Sequence, residues 1–109
     1  MLPDVSASPN ADKYSGAMSV TLHDHLTEFR YEARVDGKLA GTAAYELTDS
    51  MITFTHTVVG EGFEGQGVGG ALARYALDDA RSRGLRVRPL CPFIRSWIGR
   101  HPEYADLVH

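Results

Sequence analysis

Glu64-Gly65-Gln66-Gly67-Val68-Gly69-Gly70-Ala71-Leu72 separates two kinds of periodicity. Upstream, Met51 to Val59 alternates as a strand does; downstream, Val68, Leu72, Tyr75, Ala76 and Ala80 recur at helical spacing. The glycines are therefore the bend between a strand and a helix. Lacking Cβ atoms, they let backbone N–H groups approach a bound group and point the same way. The first helical turn adds unpaired donors and a positive dipole end, so the junction can hold a phosphate or pyrophosphate with little help from side chains.

Two patterns fit these glycines. Gly65-x-Gly67-x-x-Gly70 matches the dinucleotide-binding fingerprint. That unit continues through further parallel strands and carries an acidic residue about 20 positions on. Around Leu90 there is no Asp or Glu, and only one more strand-length segment follows. Read as Gln66-x-x-Gly69-x-Ala71, the stretch resembles the Q/R-x-x-G-x-G/A acyl-CoA pyrophosphate loop of the GNAT-type N-acetyltransferase superfamily. His56-Thr57, Leu90-Cys91-Pro92-Phe93 and His101-Pro102-Glu103-Tyr104 extend the resemblance to a small single-domain subfamily, over roughly Phe29 to Val108.

Length and composition agree with one domain. A chain of 109 residues has room for one core, and 43% hydrophobic with 23% charged residues is ordinary globular material. A net charge of -3 argues against a nucleic-acid binder held by charge. The single cysteine excludes an internal disulfide, and no signal-peptide core or membrane-length apolar run is present, so a cytoplasmic protein without a membrane partner is expected. Residues 1–18, rich in Ser, Ala, Asp, Asn, Pro and Gly, read as a flexible segment, with Met18 a candidate natural start; the domain spans 19–109.

From Glu28 the pattern alternates, with Phe29, Tyr31, Ala33 and Val35 on one strand face. Asp36-Gly37 predicts a tight hairpin, Leu39, Gly41, Ala43, Tyr45 and Leu47 a returning strand, and Thr48-Asp49-Ser50 a second turn. The third strand, Met51 to Val59, turns Ile52, Phe54, His56 and Val58 to one face by parity. A helix from about Gly67 to Arg83 with Gly84 at its cap leads to a strand over Leu85 to Leu90, parallel to the third. Pro92 opens a second helix with the stripe Phe93, Ile94, Trp97 and Ile98; His101-Pro102 ends it, and Glu103 to Val108 forms a last turn. The expected class is α/β (α+β): a minimal GNAT-like fold with a three-stranded antiparallel meander, a pyrophosphate-loop helix, a parallel strand and C-terminal helices.

The resemblance implies acetyl-CoA or CoA as acyl donor and an amine acceptor, on a small molecule or a protein, in a monomer or weak homodimer. It implies coenzyme contacts from Val58, Val59, Gln66, Gly67, Val68, Gly69, Gly70, Ala71, Arg83 and Phe93. Arg81, Arg83, Arg86 and Arg88 either meet the ribose phosphate or form a solvated face. Cys91, at the N-cap of the Pro92 helix, is a buried small hydrophobe, a wall of the acyl pocket or a transient acyl acceptor. His56 is a candidate general base or a hydrogen-bonded core residue. The subfamily carries an acidic residue two positions after this histidine, where this chain has Val58; Glu61 and Glu64 are the nearby carboxylates. Tyr104 either protonates the leaving thiolate or packs in the C-terminal turn. No His pair has zinc-ligand spacing with Cys91, so no metal is expected. The leading reading is an acetyl-CoA-dependent N-acetyltransferase, and the alternative is a CoA-binding module with little turnover.

Overall fold

The computed structural model describes residues 20–108, so the expectation for 1–18 lies outside the described residues. Five strands form one sheet in sequence order: β1 (Val20–His25), β2 (Arg30–Val35), β3 (Lys38–Leu47), β4 (Met51–Val59) and β5 (Arg86–Pro89). The first four pair antiparallel and β5 lies parallel to β4. Between them runs helix α1 (Val68–Ser82), as a parallel pair requires. Helix α2 (Pro92–Gly99) and a short 3-10 segment, Pro102–Leu107, complete the chain.

The meander thus has four strands rather than the three expected. β1 joins its edge, with Leu22 fully buried. β2 starts at Arg30 rather than Phe29, which has a left-handed φ of 54° and an exposed side chain. The Asp36-Gly37 hairpin has both central residues at positive φ, 51° and 85°, matching the right-handed twist of its strands. A bulge at Ala40 turns that residue inward and leaves Leu39 exposed.

The second bulge matters for the site. Ala44 pairs with His56 and Tyr45 with Phe54, so Thr55 has no residue opposite it. One extra residue reverses parity along the rest of the strand. Ile52 and Phe54 are fully buried, whereas His56 and Val58 are exposed, which corrects the expectation that all four share an apolar face.

Helix α1 lies over β2 to β4. Its buried stripe, including Val68, Leu72, Ala76 and Ala80, meets Tyr31, Ala43 and Phe54, and Gly41 permits the contact because a Cβ there would lie 2.9 Å from Val68. Helix α2 sits beside α1, over β4 and β5, and buries Ile94 against that core. The far end of α1 is tied by polar contacts: Tyr31 donates to Asp79 (2.6 Å), Tyr45 to Asp24 (2.7 Å), and Arg83 pairs with both carboxylates.

Candidate functional site at the start of the first helix

Gly67 is the N-cap of α1 with φ 80°, a conformation that costs a residue with a Cβ but not glycine. Ala71 N–H already donates to Gly67 O (3.0 Å), so its amide is committed, unlike the expectation drawn from the motif. The amides of Val68, Gly69 and Gly70 come before the first intrahelical donor. Among the described residues no side chain caps them, and no acidic residue lies in the first turn. The glycine spacing also fits two residues earlier, as Glu64-x-x-Gly67-x-Gly69, which sets Gly67 at the bend where the structure has it. Gln66 is turned back into the loop, its Nε2 donating to Gly62 O (3.2 Å).

An open cavity of about 280 Å³ lies against this turn, lined by Gly67 to Gly70 together with Val59, Phe63, Glu64, Gly65 and Phe93. The Phe93 ring rests on Gly69, where a Cβ would come within 2.8 Å of it. A second cavity, about 240 Å³, shares Gly67 and Gly70 and continues along Ala71, Arg74, Trp97 and His101.

Beyond Phe54, β4 and β5 part. Their register ends at Phe54 and Pro89, and Cys91 N–H donates to Phe54 O (2.9 Å) where the strands separate. Past this point β4 is paired with β3 alone among the described residues, through Val59 opposite Gly41. Gly60 N–H donates to Ala40 O (2.7 Å), so strand alternation turns the backbone groups of Val59 and Thr57 to the unpaired edge. Cys91 is the N-cap of α2, as the position of Pro92 predicts, and its side chain is 2% exposed. Its Sγ lies 3.3 Å from Thr57 Oγ1, an inward neighbour that the bulge at Thr55 creates and that unbroken strand parity hides.

The remaining residues fall elsewhere. His56 stands on the other face of β4, exposed, beside Thr55. Val58 is exposed on that face too, and Val59 lines the cavity. Tyr104 is buried against α1: its hydroxyl donates to Asp78 (2.6 Å) and accepts from Arg74 (3.1 Å). Burial, with the Asp78 carboxylate beside it, pushes this phenol up to about 12. Arg83 is not brought to the loop. It caps the opposite end of a 15-residue helix, about 22 Å long at 1.5 Å per residue, and pairs with Asp79 and Asp24. Arg81 likewise pairs with Asp106 (2.9 Å). Among the described residues no group of three His, Cys, Asp or Glu side chains is arranged to hold a metal, and no helix is long and apolar enough to cross a membrane.

A mixed sheet with one parallel pair, strands that part beyond it, and an uncapped helix start beside the gap define an α+β domain with a candidate anion-binding turn. The model of the GCN5-related N-acetyl-transferase family matches residues 30–107. The chain belongs to that family, whose fold is the expected one and whose members generally use acetyl-CoA. No curated protein matches the chain.

Proposed function

We propose that the protein transfers an acetyl group from acetyl-CoA directly to an amine. The single observation that carries this reading is the uncapped first turn of α1, which opens onto a cavity leading to the gap between β4 and β5. The amides of Val68, Gly69 and Gly70 hold the pyrophosphate. Val59, Phe63 and Phe93 flank the pantetheine, and the free edge at Thr57 and Val59 pairs with its amides. The thioester lies by Thr57 and Cys91, whose packed side chains shape the acyl pocket.

The uncovered face of β4 gives the acceptor its approach, with His56 there to take the proton from the attacking ammonium. The amine nitrogen so freed forms a bond to the thioester carbonyl carbon, the C–S bond breaks, and the second proton lost from that nitrogen passes to the departing thiolate, so that CoA leaves as its thiol. Cys91 needs no covalent role in this scheme. Tyr104 serves packing, because its proton is already shared with Asp78. The proposal keeps the protein cytoplasmic, free of nucleic acid and metal, and a monomer or weak homodimer. The test is acetyl-CoA consumption by the purified protein across small amines, polyamines and peptides, with the acetylated product identified by mass. Tight acetyl-CoA binding with no acetylated amine would instead make the chain a coenzyme-binding module.

A further inference from the structure

Under the transfer reading, on which this inference rests, the acceptor lies on the sheet face that the helices leave open. Pairing register sets the side chains of that face in rows: His25, Arg30, Ala44 and His56 lie across the sheet in one, and His23, Glu32, Thr42 and Val58 in the next. Tyr31, Ala33 and Ala43 are buried under α1, so their neighbours in these rows point away from it. An open cavity of about 250 Å³ sits on the second row, lined by Arg30, Leu39 to Thr42, Val58 and Gly60. Val58 follows His56 by two residues, which sets the cavity about 7 Å from the candidate base along the same strand. Leu39 and Val58 are exposed there and leave apolar surface open.

Among the described residues Glu32 is the only charged side chain that is buried, at 3% exposure, although no helix covers it. Two arginines enclose it. Arg30 Nε and Nη2 both bond its Oε2 (2.9 and 2.8 Å), and Arg34 stands 3.4 Å from its Oε1. Burial works against the charge, but the Arg30 hydrogen bond and the charges of Arg30, His25 and Arg34 outweigh it and hold the carboxyl below its ordinary pKa. Glu32 thus fixes Arg30 in one pose. In that pose Nη1 has no partner among the described residues, and its two N–H donors remain for a group in the cavity that Arg30 lines. The surrounding charge has the same sign. Arg86 and Arg88, on either side of the fully buried Val87, share this face with Arg30 and Arg34; Glu32 and Glu46 are the carboxylates set against them, in a chain whose net charge is -3. A polyamine is repelled here, and an amine that carries a carboxylate finds a partner.

Strands β2 and β4 are two spacings apart, about 9.5 Å, a span filled by one hydrogen bond of about 3 Å at each end with an amino acid between them. We propose that the acceptor is a free amino acid with an apolar side chain: its amine faces His56, its carboxylate takes Arg30 Nη1, and its side chain rests on Leu39 and Val58. Glu32 is a positioning residue that acts through Arg30.

Acetylation rates with leucine, leucinamide and spermidine test it. The wild-type protein should favour leucine over leucinamide by at least about tenfold in kcat/KM, a preference that shrinks with salt, and should acetylate spermidine more slowly than leucine. Arg30→Gln should lower kcat/KM for leucine by about tenfold and leave leucinamide within about twofold, because only the carboxylate loses its partner. That variant leaves the buried Glu32 with Arg34 alone, so Arg30→Gln/Glu32→Gln, which removes both charges together, serves where it does not fold and should lose the preference equally. Glu32→Gln should raise KM for leucine about fivefold with kcat near wild type and leave leucinamide unchanged, a split that a merely structural role does not give. Leucinamide or spermidine used as well as leucine, or a preference that survives the double variant, would overturn this inference and leave the transferase reading standing. Acetylation of none of the three, nor of any other amine or peptide, would overturn the transferase reading beneath it.

Discussion

Gly70→Asp sets stability and binding against each other. Gly70 is the third residue of α1, and a Cβ there meets only Trp97 Nε1, at 3.5 Å. Replacing an interior helical glycine gains a few tenths of a kcal/mol, and a carboxylate in the first turn adds about 0.3–1 kcal/mol through the helix dipole. The sum, about 1 kcal/mol, should raise Tm by about 4–8 °C in a domain of this size. The same carboxylate shares a helical turn with the proposed pyrophosphate. At roughly 6 Å and an effective dielectric of about 20, it repels one phosphate charge by about 3 kcal/mol, on the order of a hundredfold in Kd. Thermal melts with titration of CoA read both effects, and Gly70→Asn separates charge from size. A folded Gly70→Asp protein that binds CoA within about threefold of wild type would refute the reasoning that the first turn of α1 holds the phosphates.

Further outcomes follow from the other side chains. Cys91→Ala should keep turnover within about tenfold, or roughly 1.4 kcal/mol of barrier, if the amine attacks the thioester directly; a hydroxylamine-labile acetyl group on Cys91 that passes to an amine at the turnover rate would contradict this. His56→Gln should lower kcat by about a hundredfold or more and leave CoA affinity unchanged, as expected for loss of a general base; unaltered turnover would remove His56 from the reaction. Tyr104→Phe should cost about 1–3 kcal/mol of stability, read from denaturant melts, because the Asp78 carboxylate and Arg74 lose a buried partner, while kcat stays near wild type. The Tyr104 phenol is raised on folding, so its stabilisation is complete below pH 10 and declines as pH rises through about 12, a decline that Tyr104→Phe should reduce.

Much of the frame was legible because its signals are local. Asp36-Gly37 specifies a hairpin, the glycine run a strand-to-helix bend, and Pro92 the start of α2 with Cys91 at its N-cap. What escaped depends on pairing. Val20-Thr21-Leu22 offers only two alternating apolar residues, and becomes a strand because the edge of β2 receives it. The bulge at Thr55 leaves no mark on composition, yet it sends His56 to the open face and brings Thr57 to Cys91. Arginines close in sequence looked like one cluster, but α1 carries Arg81 and Arg83 away from the loop to Asp106, Asp79 and Asp24. The groove of Arg74 and Trp97 exists only once α2 packs on α1.

The central claim, that the free amides of α1 hold the coenzyme, is tested most directly by following backbone amide resonances while acetyl-CoA is added. The largest saturable shifts should fall on Val68, Gly69 and Gly70, with smaller ones at Thr57 and Val59 along the open edge of β4 and none at Arg83. Saturable binding that leaves Val68 to Gly70 unmoved, or no binding at all, would contradict the account.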